Sequence, residues 1–264
     1  MIWILVTFSI LSVGLYKIVF ARLNLTRAIE QRVSGLYLAN AAFRYAAGQR
    51  SKHKTGYDTL YGLRNKEERQ LGGGKFTYIL VDEDSKININ TASGDIISRL
   101  PGFDLGLANK LISSALRPFS LKEEILLVEG LTEKTFDGCK DYITVYSDGP
   151  VNINTASVPV MAALGMDESL ISSIESFRQG PDKQEATADD VIFEDTGEII
   201  NKLRSFAALS GAQESLLVSL ISQGLISTGS KNFTLKVDTE IMGKVGMRYN
   251  IVMDRDSIKA WSEK

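Results

Sequence analysis

The chain has one cysteine, Cys139, and one histidine, His53, among its 264 residues. A single cysteine excludes an internal disulfide framework and leaves the redox compartment open, since nothing within the chain can mispair. A single histidine excludes histidine-rich metal sites and limits any nucleophile–histidine pair to His53. That residue sits in the polar stretch "SKHKTG" and reads as a surface side chain. Cys139 has Lys140 beside it, which can lower a thiol pKa, but it has no catalytic partner and reads as an incidental half-buried cysteine. No catalytic constellation emerges, so the chain reads as a non-enzyme. Strong charge of either sign is also missing. The formal net charge is −2, which gives no general attraction to nucleic acid. With 8% aromatic and 23% charged residues the composition is that of a folded protein, long enough for one large domain or two small ones.

Charge is absent from the first sixteen residues of "MIWILVTFSILSVGLYKIVF", and proline from the whole stretch through Arg50. A helix of about twenty apolar residues is roughly 30 Å long, the thickness of a bilayer core, and Lys17 can snorkel to the headgroups. Residues 1–21 are therefore expected to form a transmembrane helix. A buried soluble helix and a cleaved secretory signal are the alternatives, the latter without a basic leading region or a small-x-small cleavage site. Arg22, Arg27 and Arg32 follow the span, and by the positive-inside rule alone they favour a cytoplasmic body. Helical periodicity continues through "ARLNLTRAIEQRVSGLYLANAAFRYAAGQR", where Leu25, Ile29, Val33, Leu36, Leu38, Ala42 and Phe43 form an apolar stripe. One helix of about 45 residues is expected, apolar all round at first and amphipathic later.

Residues 48–75 are polar and glycine-containing, and read as a loop with one short helix. "KFTYILVDED" at 75–84 reads as a strand whose acidic end is an edge turning into solvent. "DYITVYSDGP" holds a further strand at 141–147. Near the end, "NFTLKVDTEI" and "KVGMRYNIVMDRD" form a hairpin through a turn containing Gly243, with Phe233, Leu235 and Val237 alternating inward.

The segment "ININTAS" at 87–93 returns as "VNINTAS" at 151–157, 64 residues later. Asn88, Asn90, Thr91 and Ser93, and their counterparts Asn152, Asn154, Thr155 and Ser157, are good helix-entry residues. Their side chains can satisfy free backbone N–H groups while the flanking Ile87, Ile89, Val151 and Ile153 point inward. Each copy continues as short helix, turn and longer helix. The first turn is Pro101–Gly102 with Asp104 capping the next helix, and the second is Gly165 with Asp167 in the same role. Ser120 and Glu123 fit a capping box before another short helix, and one more helix is expected at about 212–223.

The first copy resembles the helix-hairpin-helix modules of competence-type DNA-binding proteins, whose glycine-rich turn offers N–H groups to a phosphate. Here Asp104 replaces the second glycine and Asp167 stands at the equivalent place, where a carboxylate would repel a phosphate. A membrane-anchored DNA-binding protein is thus the alternative function, and nucleic acid is not the expected partner.

More of the chain resembles the minor pseudopilin K family of bacterial type II secretion. The resemblance is carried by the apolar helix running into "GLYLANAAFRYA", by "DEDSKININTAS" and "LPGFD", and by "ITVYSDGPVNINTAS" and "ALGMDESL". The late strands and the closing "IKAWSEK" complete it. It implies a non-enzymatic structural subunit at the tip of the pseudopilus, supporting protein export across the outer membrane. It implies partnership with other minor pseudopilins in a hetero-oligomeric tip complex, with the inner membrane and with the secretion machinery. A single-pass anchor in the inner membrane would leave the body in the periplasm, contrary to the arginine pattern. Prepilins of this kind carry a short basic leader ending in glycine and are processed and methylated; the sequence opens directly at "MIWILV", which leaves the leader and the processing site open. The family's K proteins commonly lack the glutamate that major pseudopilins hold near the mature N-terminus, and it is absent here as well.

The implied architecture is α+β: a long N-terminal membrane and spine helix packed on a pilin-like antiparallel sheet, interrupted by a helical domain of SAM-like or helix-hairpin-helix-like form. Residues 22–86 should supply the amphipathic helix, a loop and the first strand. Residues 87–222 should form the inserted helical domain, and 223–264 the strands that complete the sheet. No cofactor is expected: the acid-rich stretch reads as a solvated loop, with calcium, which the resembled family carries in its helical domain, as the alternative. The candidate ligands are Asp182, Asp189, Asp190, Glu194 and Asp195, oxygen donors on a loop without an EF-hand pattern.

Overall fold

The computed structural model describes residues 2–52, 56–64, 66–254 and 257–263; His53 lies outside them. Helix α1 runs unbroken through Ile2–Lys52, 51 residues. It is the one described helix long and apolar enough to cross a membrane, and its most apolar window, of mean hydropathy 2.1, has none of its residues buried. Packing begins at Gly35 and continues through Leu38, Ala39, Ala42, Ala46 and Ala47 at helical spacing. Leu25, Ile29 and Val33, expected on the apolar stripe, stay exposed; the buried residues of α1 begin at Gly35.

The interval expected as loop holds more order than that. The end of α1 and the short helix α2 (Leu60–Arg64) are followed by β1 (Glu67–Leu71), whose polar sequence suits an edge strand. Strands β2 (Gly74–Asp82), β7 (Asn232–Ile241), β8 (Lys244–Asp254) and β9 (Ser257–Glu263) join β1 in a five-stranded antiparallel sheet. Its order is β1–β2–β7–β8–β9. The expected terminal hairpin turns at Met242 and Gly243, both at positive φ, and β9 adds a further strand to it.

One face of the sheet packs on α1. Phe76, Tyr78 and Leu80 alternate along β2; Tyr78 and Leu80 stand opposite Val237 and Leu235 of β7, and Val237, Leu235 and Phe233 stand opposite Tyr249, Ile251 and Met253 of β8. Full burial of such a side chain stabilises the fold by about 1.5–3 kcal/mol. Gly35 permits a close approach: a Cβ there would lie 2.7 Å from the Tyr249 hydroxyl.

Between β2 and β7 the chain builds a second, separate core. Its first half comprises β3 (Ile87–Asn88), α3 (Gly94–Ser98), α4 (Leu105–Ile112), a 3₁₀ turn at Lys122–Leu127, α5 (Glu133–Cys139) and β4 (Ile143–Thr144). The other half comprises β5 (Val151–Asn152), α6 (Val158–Ala163), α7 (Glu168–Arg178), α8 (Ile199–Phe206), α9 (Gly211–Ser222) and β6 (Ile226–Ser227). The buried apolar residues here run from Ile87 to Ile226 and share none with the core under α1.

Several expectations are corrected. The strand at 141–147 shrinks to β4, which pairs in parallel with β3 and lies outside the main sheet. Helix α8, which directly follows the acid-rich stretch, was not anticipated. The capping box at Ser120 and Glu123 does not form; the Ser120 N–H donates to Glu124 instead, at 2.8 Å. The acidic end of β2 is not a solvent edge. Asp82, Glu83 and Asp84 are buried, and β2 has a neighbour on each side.

Candidate functional site

The two Asn-Thr segments open two structurally equivalent units. In the first, β3 pairs with β4 and the Ile87 and Ile89 amides donate to Tyr142 and Thr144 at 2.9 and 3.0 Å. In the second, β5 pairs with β6 and the Val151 and Ile153 amides donate to Leu225 and Ser227 at 2.8 and 2.9 Å. Pairing with β6 carries the second unit beyond residue 222.

The asparagines act alike in both. Asn88 Oδ1 accepts from the Asn90 amide at 2.8 Å, and Asn152 Oδ1 from that of Asn154 at 3.0 Å. Asn90 exchanges two hydrogen bonds with the backbone of Phe119, each 2.8 Å. Asn154 does the same with Phe193 at 2.8 and 2.9 Å. An arginine closes each unit: Arg117 donates to Ala92 O at 3.1 Å and Arg178 to Ala156 O at 2.8 Å. These asparagines therefore fasten remote loops as well as local turns. Ser93 caps α3 through the Ile96 amide. Ser157 holds the N-cap place on α6 without a side-chain bond, and Thr91 is exposed.

The units differ in how they meet the sheet. Asp82, at the end of β2, accepts from Asn152 Nδ2 at 3.1 Å, from Ser230 Oγ at 2.6 Å and from the Thr155 hydroxyl. Its other oxygen takes the Asp84 amide at 2.8 Å. Asp84 accepts from the Lys231 and Asn232 amides at 2.6 and 3.1 Å and from Asn232 Nδ2 at 3.0 Å, and its carbonyl takes the Asn152 amide at 2.8 Å. Glu83 binds Lys86 at 2.7 Å and accepts from the hydroxyls of Thr144 and Thr234, both at 2.6 Å. Asp58 pairs with Arg50 of α1 and takes the Ser230 amide at 2.8 Å. These four acids tie both units to β2, β7 and α1.

Burial pushes Asp82 up to about 7, assisted by the neighbouring carboxylates of Asp84 and Asp58 and opposed by the two hydroxyls. Burial also raises Asp84. At Glu83, burial works upward, but Lys86 and the two threonines outweigh it and hold the carboxyl below its ordinary range. The acids themselves were visible in the sequence beside the first Asn-Thr segment; their partners at Thr144, Asn152, Ser230 and Asn232 were not.

Both hairpin turns fill their own helix N-termini. Asp104 accepts from the Leu107 amide at 2.7 Å. Asp167 accepts from the Leu170 amide at 2.8 Å and from Gln213 Nε2 at 2.9 Å, and the Leu170 amide is the main cause of its lowered pKa. Gly102 and Gly165 adopt positive φ in these turns, and Pro101 precedes the first. One amide at each helix start, of Leu107 and of Leu170, is thus engaged by a carboxylate, whose charge would repel a phosphate.

The acidic stretch does not converge. Asp189 accepts from Thr187 Oγ1 at 2.9 Å and from the Asp182 amide at 3.2 Å, and Asp190 from the Ala186 and Thr187 amides at 3.0 and 3.2 Å. Asp195 caps a 3₁₀ turn through the Gly197 amide at 2.7 Å, and Glu194 is exposed. Among the described residues no three His, Cys, Asp or Glu side chains are grouped to hold a metal ion. Cys139 is fully buried, which raises its thiol to about 11.

With this geometry in hand, the chain can be set beside known proteins. A family model for the helix-hairpin-helix motif matches residues 82–144, the span of the first unit together with the acids before it. No curated protein matches the sequence. Among solved structures, a chain in the crystal structure of the GspK-GspI-GspJ complex from the enterotoxigenic Escherichia coli type 2 secretion system superimposes with a TM-score of 0.64. The match covers 90% of this chain and 99% of that one, at 16% identity.

The chain has a GspK-like fold. Long apolar helix, antiparallel sheet and helix-hairpin-helix region occur together in one polypeptide, which answers the architecture expected from the sequence. In this GspK-like chain the repeated Asn-Thr segments are the internal fasteners of two equivalent helical units, and the second of them is bolted to the end of β2.

Proposed function

We propose that the chain is a non-enzymatic minor pseudopilin of a type II secretion system, placed at the tip of the pseudopilus and supporting export across the outer membrane. The observation that carries this reading is the near-complete overlap with a chain of the GspK-GspI-GspJ complex. The apolar half of α1 anchors the subunit in the inner membrane before assembly and then packs in the filament spine. The sheet and the two helical units form a periplasmic head, broad enough to block further subunits above it. Its partners are other minor pseudopilins, met through α1 and the head.

A strain lacking the gene provides the test. Exported proteins should accumulate in the periplasm, and the full chain should restore export while a version without residues 2–21 should not. Normal export in the deletion strain would overturn the proposal.

The helix-hairpin-helix match supports one other reading, a membrane-tethered DNA-binding protein. Against it stand Asp104 and Asp167, carboxylates that cap the helix after each hairpin through the Leu107 and Leu170 amides and would repel a phosphate. Salt-sensitive retention of the detergent-solubilised chain on duplex DNA would favour it.

A further inference from the structure

The head contains two hydrophobic cores with no residue in common, and the layer between them is polar. What crosses it is largely the set of bonds made by Asp58, Asp82, Glu83 and Asp84, each at most 5% exposed. We propose that this seam is a proton-operated joint: with Asp82 protonated the helical units are locked to the sheet, and with Asp82 ionised the lock loosens.

The geometry assigns Asp82 this role because of who faces it. Within β2 and the turn after it stand Glu83 and Asp84. The segment before α2 contributes Asp58, and Asp148 in the turn before β5 acts on Asp84. The cations nearby are all committed elsewhere. Arg50 pairs with Asp58, Lys86 with Glu83, Lys231 reaches Asp148 at 3.5 Å, and Lys259 donates to Asn232 Oδ1 at 2.6 Å. Among the described residues no lysine or arginine is bonded to Asp82. A buried carboxylate with carboxylate neighbours and no cation is costly to ionise, and the upward shift of Asp82 follows from that.

The surrounding hydroxyls can serve both protonation states. Thr155 Oγ1 donates to Asp82 and also lies 3.4 Å from the Asn152 carbonyl. Turned toward that carbonyl, its oxygen is free to accept the proton of a neutral Asp82. The same carboxyl then remains bonded to Asn152 and Ser230, so one neutral group joins β2, β5 and the segment leading into β7. Ionised, Asp82 keeps its hydrogen-bond donors but places a buried charge beside Asp84 and Asp58 with no cation bonded to it, and hydration of the seam becomes the way to relieve that cost.

Hydrogen exchange by mass spectrometry on the full chain in detergent micelles tests the joint. After correction for intrinsic exchange rates, protection of peptides covering 82–84, 150–156 and 228–233 should fall tenfold or more between pH 5.5 and pH 8.5. Protection of the β8 core should hold. The variant Asp82→Asn should abolish the difference. The wild-type comparison stands without any variant: equal protection of the seam at both pH values would overturn the proposal. So would an equal loss throughout both cores, or a seam loss that persists in a folded Asp82→Asn protein.

Discussion

Asn154 and Phe193, 39 positions apart, exchange two hydrogen bonds: the Phe193 N–H donates to the side-chain oxygen and the side-chain N–H donates to the Phe193 carbonyl. A buried backbone N–H left without a partner costs about 1–3 kcal/mol. Asn154 also donates to Thr228 O at 3.0 Å, so Asn154→Ala removes three bonds at once. Urea unfolding should show a loss of about 2–4 kcal/mol. The equivalent Asn90→Ala should lose less, because Asn90 is only half-buried and makes no third remote bond.

At Gly35, α1 lies close against the sheet. A side chain there must displace the hydroxyl end of Tyr249, whose ring is fully buried. Overpacking of this kind costs about 1–3 kcal/mol. Thermal unfolding of Gly35→Val should show a Tm lower by several degrees, and Gly48→Val, where a Cβ meets nothing within 4 Å, a much smaller change.

Global stability should carry the signature of two acids acting in opposite senses. Asp82 has a folded pKa of about 7, far above its unfolded value. Its stabilising contribution is complete below the unfolded pKa and is lost as pH rises through the folded one. The slope is at most about 1.4 kcal/mol per pH unit for one proton. Asp84, also raised, adds to it. Glu83 is depressed, so its contribution is present above the unfolded value and is lost as pH falls through the folded one. Urea midpoints should therefore decline from pH 5 to pH 8, and the decline should flatten in Asp82→Asn. Below the ordinary carboxylate range the midpoint should drop again, less steeply in Glu83→Gln.

The parts of this fold that announce themselves in sequence are those whose burial follows a local period. The alternation of Phe233, Leu235 and Val237 specified β7, and the unbroken apolar run specified α1. Strand β1, "EERQL", has no inward face to betray it, since a charged edge strand is held only by its neighbour β2. The site was half legible. Asn88, Asn90, Asn152 and Asn154 were visible as a repeat, but as local caps. Their bonds to Ser147, Phe119, Asp82 and Phe193 span 29 to 70 positions and have no periodic trace. Asp82 through Asp84 misled for the same reason. An acidic strand end defaults to solvent unless distant hydroxyls and amides are there to receive it, and Asn232 lies 148 positions from Asp84.

The claim on which the functional account turns is that this chain assembles with other minor pseudopilins. Co-expression of the full chain with the remaining minor pseudopilins of its own secretion system, followed by native mass spectrometry of the detergent-solubilised material, measures this directly. A stable complex containing one copy of this chain with at least two of the others is the predicted result. A chain that stays alone beside every one of them would contradict the account.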